Sequence, residues 1–389
     1  NRMTRFGEGI FAVLLAEKNR QLAAGRHIVD LSVGTPNIPP APHVIEALVK
    51  SASDPASYVY AISDTAALQQ AAADWYARRY GVEIDPQHEV VSLLGSQEGL
   101  AHIALSIVDE GEVVLVPDPC YPVFGDGPAI AGAKLHYMPM TADRDYLIDF
   151  SQIPEETAKA ARLMVVSYPN NPTTAMAPDW WYEELIAFAQ KYDIIVLHDN
   201  AYSELTFDGR TGSSFLAHPG AKEVGVEFNS LSKTYGLAGA RCGFCLGNRE
   251  VVAHLRTLKS NMDYGMFLPV QQAAIAAITG DQDCVRTTRV AYEKRRNFLC
   301  DGLSAIGWPI PRPAATMFIW APLPAGWTDS RAFAMALLEK TGVMVTPGSA
   351  FGPSGEGHVR LALVQTEEEM AWAIESIRNS GILRESPQV

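Results

Sequence analysis

The sequence predicts an α/β fold in which helices flank a large, mainly parallel sheet of seven strands, followed by a smaller α+β domain. Three observations carry this expectation. Short apolar runs alternate with amphipathic stretches from residue 46 onward. Several runs are apolar throughout, which suits strands covered by helices on both faces better than half-exposed strands with an alternating pattern. From about residue 249 the strand rhythm stops, helical stretches follow, and a second, sparser set of strands closes the chain, as expected for a separate α+β unit.

Near the start, Asp30-Leu-Ser-Val-Gly-Thr-Pro-Asn-Ile-Pro-Pro breaks a helical stretch with Gly and Pro and reads as an extended crossing segment. The large-sheet strands are expected at Val90–Leu94, Val113–Val116, Leu135–Met138, Leu163–Ser167, Ile194–Leu197, Val224–Phe228 and Cys242–Leu246. Helices between them are expected at Ala66–Tyr80, Gln97–Val108 and Trp180–Lys191. Arg249–Thr257, Pro269–Thr279 and Asp283–Ile306 then read as helices, the last carrying an Arg- and Lys-rich stripe that reads as a solvated face. Strands at Thr316–Trp320, Val343–Thr346 and His358–Leu363, with helices at Ser330–Lys340 and Thr366–Ser380, make the smaller unit. The expected division is 1–45 as an N-terminal segment of the small domain, 46–285 as the large domain and 286–389 as the small C-terminal domain.

Composition narrows the function. A net charge of −13 argues against nucleic-acid binding, which needs a basic face to neutralise phosphates. No apolar run reaches the roughly 18 residues of a membrane span. Asn1-Arg2-Met3 lacks a charged-then-apolar leader pattern, and Asn1-Arg2 reads as a remnant before the initiator, so a cytoplasmic location is expected. The five cysteines form no disulfide framework. Cys242-Gly-Phe-Cys245 spells C-x-x-C, but on a strand this odd spacing sends the thiols to opposite faces, so both read as packing residues rather than a redox or zinc pair.

No P-loop, no early G-x-G-x-x-G and no H-E-x-x-H is present, and no metal is expected. Instead, polar residues gather at the ends of successive strands, where open α/β sheets bind ligands. Leu94-Gly-Ser-Gln-Glu-Gly99 leaves a strand and opens a helix, so Gly95, Ser96 and Gln97 could present N–H groups to a phosphate, although many strand-to-helix turns look alike. Ser167-Tyr-Pro-Asn-Asn-Pro-Thr-Thr174 is a polar turn after an apolar strand, and His198-Asp-Asn-Ala-Tyr202 another, whose acid could equally be a helix cap. The decisive stretch is Asn229-Ser-Leu-Ser-Lys-Thr-Tyr-Gly-Leu-Ala-Gly-Ala-Arg241. A lone lysine is nearly always a solvated charge, but Lys233 among small polar residues after a buried strand suits an amine whose pKa is lowered in a dry pocket. Arg241 can meet a phosphate with its planar fork.

Ser230-Leu-Ser-Lys-Thr-Tyr-Gly with Arg241 resembles the pyridoxal-phosphate lysine signature of class I/II aminotransferases. Asn170-Asn-Pro-Thr173, Asp199-x-x-Tyr202, Asp118-Pro-Cys-Tyr-Pro122 and His358-Val-Arg-Leu-Ala362 match the same family in order, so the resemblance spans essentially the whole chain. It implies the fold type I of pyridoxal-phosphate enzymes, the large domain being the cofactor-binding one. Ala73–Val82 and Leu258–Gly265 look most like the LL-diaminopimelate and alanine aminotransferase-like members.

The resemblance implies a Schiff base on Lys233, which also shuttles the proton, and Asp199 paired with the ring nitrogen. It implies Tyr202 and Asn171 at the ring's phenolic oxygen, Tyr121 stacked on the ring, and Gly95, Ser96, Gln97, Ser230, Ser232 and Arg241 around the phosphate. Arg360 would clamp the substrate carboxylate, with Gly34 and Asn171 beside it. A homodimer with shared sites is implied, in which Tyr60, or alternatively Tyr58, reaches the partner's phosphate. Thr174 stands where the family usually has Gly. The implied reaction moves an amino group from an amino acid to a 2-oxo acid, with glutamate and 2-oxoglutarate as the exchange pair. Tyr264, if it fills the pocket mouth, favours alanine over LL-diaminopimelate as donor. A carbon–sulfur β-lyase of the same fold is the alternative within the cofactor class. The effector-sensing part of a transcription regulator is disfavoured, because no basic helical domain precedes the Gly34 segment.

Overall fold

Consecutive apolar residues at Leu163, Met164, Val165 and Val166 are each at most 2 % exposed, because helices cover both faces of the sheet that holds them. The alternation of side chains along a strand divides them between two cores. Leu115, Met164, Val166 and Val196 pack on one face, and Val114, Val116, Leu163, Val165 and Leu197 on the other.

The computed structural model describes residues 10–385; the expected Asn1-Arg2 remnant lies outside them. In chain order the strands are β1 (Val29–Asp30), β2 (Val90–Leu93), β3 (Val113–Asp118), β4 (Lys134–Pro139), β5 (Ala161–Ser167), β6 (Ile195–Asp199), β7 (Gly225–Ser230), β8 (Gly243–Gly247), β9 (Phe318–Pro322), β10 (Val343–Met344), β11 (Thr346–Pro347) and β12 (His358–Ala362). Seven of them form one sheet in the order β2-β8-β7-β6-β5-β3-β4. Neighbours from β7 to β4 pair in parallel, whereas β8 runs antiparallel to both β2 and β7. The expected seven-stranded, mainly parallel sheet is therefore present.

Local chemistry sets the helix ends. Thr65 caps the helix Ala66–Tyr80 by accepting from the Leu68 N–H, and Gly81 closes it at φ 68°. The helix Ser96–Ile107 starts directly behind Gly95, whose φ of 80° is in the left-handed region. In this way β2 ends, turns sharply and points a helix start at the same sheet edge where β5, β6 and β7 end.

A third core lies under the three-stranded antiparallel sheet β11-β12-β9, with Leu299, Leu303, Ile319, Leu337, Leu361 and Ile374 among its members. The N-terminal β1 joins this unit by pairing with β10. Here the structure corrects the single strand expected at Val343–Thr346. Val343 and Met344 pair with β1, while Thr346 and Pro347 pair with β12. The segment is shared between two sheets because β1, distant in sequence, takes its first half.

The basic stripe on the helix Asp283–Ala305 is not wholly solvated. Arg296 is buried and donates to both carboxylate oxygens of Asp208, at 2.7 Å each. Cys242 and Cys245 are free and buried in different cores, with both thiols pushed up by burial.

Candidate active site

The parallel strands deliver their last residues to one edge: Ser167 from β5, Asp199 from β6 and Ser230 from β7. A cavity of about 520 Å³ opens there, roofed by Phe318 and Arg360 from the small sheet and by the crossing segment Val33–Pro36. Its wall gathers Gly34, Ser96, Gln97, Tyr121, Asn171, Asp199, Tyr202, Ser230, Ser232, Lys233, Arg241 and Arg360. The volume suits a small organic ligand.

Lys233 lies in the short helix Leu231–Thr234 capped by Ser230, whose Oγ accepts from the Ser232 N–H at 3.2 Å. Its Nζ donates to the Gly34 carbonyl at 2.9 Å. Burial, with the Arg360 and Arg241 guanidiniums nearby, depresses the amine to about 8. A carboxylate shifts the other way: burial, then the charge of Glu227, raises Asp199 to about 7.

Arg360 is 3 % exposed. Its Nη1 donates to Asn171 Oδ1 at 2.8 Å and its Nη2 to the Ser32 carbonyl at 2.9 Å. The guanidinium carbon stands 4.1 Å from the Phe318 ring centre and 4.6 Å from that of Phe351. Burial lowers its pKa to about 10, leaving it a cation at neutral pH.

At the other end, a Cβ on Gly95 would overlap the Arg241 guanidinium. Gly95 is thus not on the cavity wall; it lets Arg241 lie against the start of the helix Ser96–Ile107. Arg241 itself has φ 55° and donates to the Ala238 carbonyl at 3.0 Å. Tyr121 donates to Gln97 Oε1 at 3.0 Å, which holds its ring as a side wall.

Two expected residues stand apart. Tyr60 is 83 % exposed and absent from the wall of its own chain's cavity. Tyr264, 42 % exposed with its ring 6.1 Å from that of Tyr60, does not line the cavity either. It therefore does not fill the pocket mouth of its own chain, and the size argument for alanine loses its geometric basis. Conversely, sequence reasoning passed over Phe318, whose only signal was its place within an expected strand, and Ser32, which acts through a backbone carbonyl.

Several buried polar atoms have no hydrogen-bond partner: Asp199 Oδ1, Ser167 Oγ and Arg360 Nε. Unpaired buried acceptors and donors are costly and call for a partner. Asp199 offers an acceptor to a ring nitrogen, Lys233 an amine to an aldehyde, and Arg241 with the helix start a cradle for a dianion. The donor set fits pyridoxal phosphate.

The family description "Aminotransferase class I and II" matches residues 26–377. The chain belongs to this family. Like its members, this aminotransferase is a pyridoxal-phosphate-dependent enzyme that moves amino groups between small amino and 2-oxo acids. It is 46 % identical to an LL-diaminopimelate aminotransferase of Moorella thermoacetica, over 94 % of this chain and 95 % of that protein. A second protein of that name, from Desulforudis audaxviator, is 47 % identical over 94 % and 92 %. Among solved structures, substrate-bound BacF from Bacillus subtilis superposes with a TM-score of 0.94 at 34 % identity, covering 97 % of this chain and 96 % of that one. A probable N-succinyldiaminopimelate aminotransferase from Thermus thermophilus gives 0.90 at 35 %, covering 96 % and 100 %. The curated relatives carry transferase names, which leaves the β-lyase alternative without support.

Proposed function

We propose that this aminotransferase takes LL-diaminopimelate as amino donor and 2-oxoglutarate as acceptor, with Lys233 as the residue that carries the cofactor. The observation that carries the chemistry is the meeting of Lys233, Asp199 and Arg360 in one cavity. The donor rests on the 46 % and 47 % identity to diaminopimelate enzymes along nearly the whole chain.

When bound, pyridoxal phosphate supplies an aldehyde that captures the amino group and a ring that takes up electrons from the substrate α-carbon. Arg360 binds the α-carboxylate through the face left by its unpaired Nε, already oriented by Asn171, Ser32 and two phenyl rings. Gly34 would lie beside that carboxylate, since it lines the same cavity as Arg360. With the cofactor bound, the Lys233 amine would be the base that takes the α-proton and returns it two atoms further on, at the carbon that came from the aldehyde. Asp199 would hold a proton at the ring nitrogen, and Tyr202 with Asn171 would face the phenolic oxygen. Ser96, Gln97, Ser230, Ser232 and Arg241 would hold the phosphate, with Gly95 giving Arg241 its place.

The working form is a homodimer located in the cytoplasm. No helix among the described residues is long and apolar enough to cross a membrane. Val59, Tyr60, Ile62, Met262, Tyr264 and Phe267 form an exposed apolar surface, the kind that marks an interaction face. A second copy covers it, and Tyr60 reaches the partner's phosphate site. Residues 46–285 act as the cofactor-binding domain, and 286–389 with residues 1–45 as the small domain that presents Arg360.

Single-turnover reaction of the holoenzyme with LL-diaminopimelate and with alanine tests the donor. The expected result is a kcat/KM for LL-diaminopimelate roughly a hundredfold above that for alanine; equal or reversed values would reject the assignment.

A further inference from the structure

We propose that Glu227 is a positioning residue for the reaction, an ionised carboxylate in the core that holds the Asp199 proton in place. The inference rests on the pairing of Asp199 with the cofactor ring nitrogen.

Glu227 sits in the middle of β7, directly opposite His198 of the parallel strand β6, and Asp199 is the next residue along β6. Glu227 is 0 % exposed and points to the face of the sheet opposite to that of its neighbours Val226 and Phe228. Four donors converge on its carboxylate. Tyr76 Oη and Ser214 Oγ each donate to Oε1 at 2.8 Å, the Phe215 N–H donates to Oε2 at 2.8 Å, and His198 Nδ1 is 2.9 Å from Oε2. Four donors leave no place for a carboxylic proton, so the group is an anion. Tyr182 Oη lies 3.3 Å from His198 Nε2. Among the described residues no lysine or arginine makes an ion pair with Glu227.

The core therefore holds the Glu227 carboxylate on hydrogen bonds, with no lysine or arginine partner, one residue pair away from Asp199. As a stabilising feature such a carboxylate is a poor choice, since taking it out of water costs more than a neutral side chain in its place. Its field has a definite chemical effect. A nearby anion favours any proton placed between it and the cavity, including the proton shared by Asp199 and the ring nitrogen. On the cavity side, Lys233 from the helix Leu231–Thr234 acts on Asp199 in the opposite sense, and Arg241 behind it and Arg360 from β12 line the same cavity. Tyr121 and Tyr202 face it as neutral phenols, pushed up by burial. On the Glu227 side, Tyr80 and Tyr182 are likewise neutral, and His218 is held below the usual imidazole range by burial. Positive charge on the cavity side favours loss of the proton, and Glu227 is the anion that opposes it.

The test is a pH titration of the ¹⁵N resonance of the cofactor ring nitrogen in holoenzyme loaded with ring-labelled pyridoxal phosphate, beside the dissociation constant of the cofactor. In Glu227→Gln the ring proton should be lost at a pH lower by roughly half a unit or more, and cofactor affinity should fall in the alkaline range. Tyr76→Phe removes one donor, leaves the charge less neutralised, and should move the same loss upward. A purely structural Glu227 predicts no movement in either variant, and identical titrations in both overturn the proposal. If Glu227→Gln yields no folded holoenzyme, the direction in Tyr76→Phe decides, and a downward or absent shift overturns it. Asp199→Asn is the control. If it leaves the ring nitrogen resonance unchanged, the pairing of Asp199 with the cofactor fails; if it moves the resonance while Glu227→Gln does not, only the role of Glu227 fails.

Discussion

Arg360 Nη1 donates to Asn171 Oδ1 at 2.8 Å, joining the small antiparallel sheet to the loop that follows β5 of the large one. The two residues are far apart in sequence and belong to elements with separate cores. A buried, charge-assisted hydrogen bond of this kind holds the planar fork in one orientation before any carboxylate arrives. Arg360→Lys keeps the charge but loses the fork and its stacking between Phe318 and Phe351. The expected outcome is a kcat/KM for every amino donor lower by roughly a hundredfold, mostly through KM. Steady-state kinetics with two donors check it, and unchanged KM values would remove Arg360 from substrate binding.

Lys233→Ala should abolish covalent attachment of the cofactor while leaving weak, reversible binding through the phosphate contacts. Borohydride reduction followed by peptide mapping reads this directly. Label on any other lysine in the parent protein would refute the assignment of Lys233.

The depressed lysine makes a pH prediction with a definite sign. Only the neutral amine attacks an aldehyde, and the folded-state pKa of about 8 is below the ordinary lysine value. Capture of pyridoxal phosphate by the cofactor-free chain should therefore speed up as pH rises through about 8 and level off above it. A rate still climbing tenfold per unit near pH ~10 would mean an ordinary, solvated lysine.

Asp199 predicts the opposite trend in the stability of the cofactor-free chain. Its folded-state pKa is raised to about 7, so between its ordinary value of 3.8 and 7 the folded state binds more protons than the unfolded one. The stability tied to this group is present at low pH and is lost as pH rises through that window. Asp199→Asn should therefore be the more stable protein above pH 7, by urea unfolding, even though its amino transfer is slower by orders of magnitude. Equal stability on both sides of the window would place Asp199 in a solvated setting.

Thr174 has φ 65°, in a region that β-branched residues rarely adopt, within the loop that carries Asn171. The departure from Gly noted in the sequence is thus accommodated by strain, with the loop held by the Thr174 N–H donating to the Asn170 carbonyl at 3.0 Å. Thr174→Gly should raise stability by about 0.5–1 kcal/mol, the relief of the left-handed conformation less the added chain entropy of glycine. A lower urea midpoint in the variant would show that the side chain has a packing role that outweighs the strain.

Local information was enough for much of this protein. Apolar runs that bury both faces of a strand are written in consecutive residues, so Leu163–Ser167 and its neighbours were legible as a covered, mainly parallel sheet. The polar turns after β2, β5, β6 and β7 are equally local, and they put Ser96, Asn171, Asp199 and Lys233 at a common edge. What the residues around Val343–Thr346 would pair with was not legible, because the partners β1 and β12 come from opposite parts of the chain. The same holds for Arg296, read as solvated until its partner Asp208 is brought against it, and for Tyr264, whose place outside the cavity depends on how the helix Arg249–Met262 ends. The sequence by itself determined the sheet and the set of polar groups at its edge, since periodicity and turn chemistry act over a few residues. Only the tertiary structure decided the direction and charge of those groups, because the pKa of Lys233, the fork of Arg360 and the anion at Glu227 are set by burial and by neighbours distant in the chain.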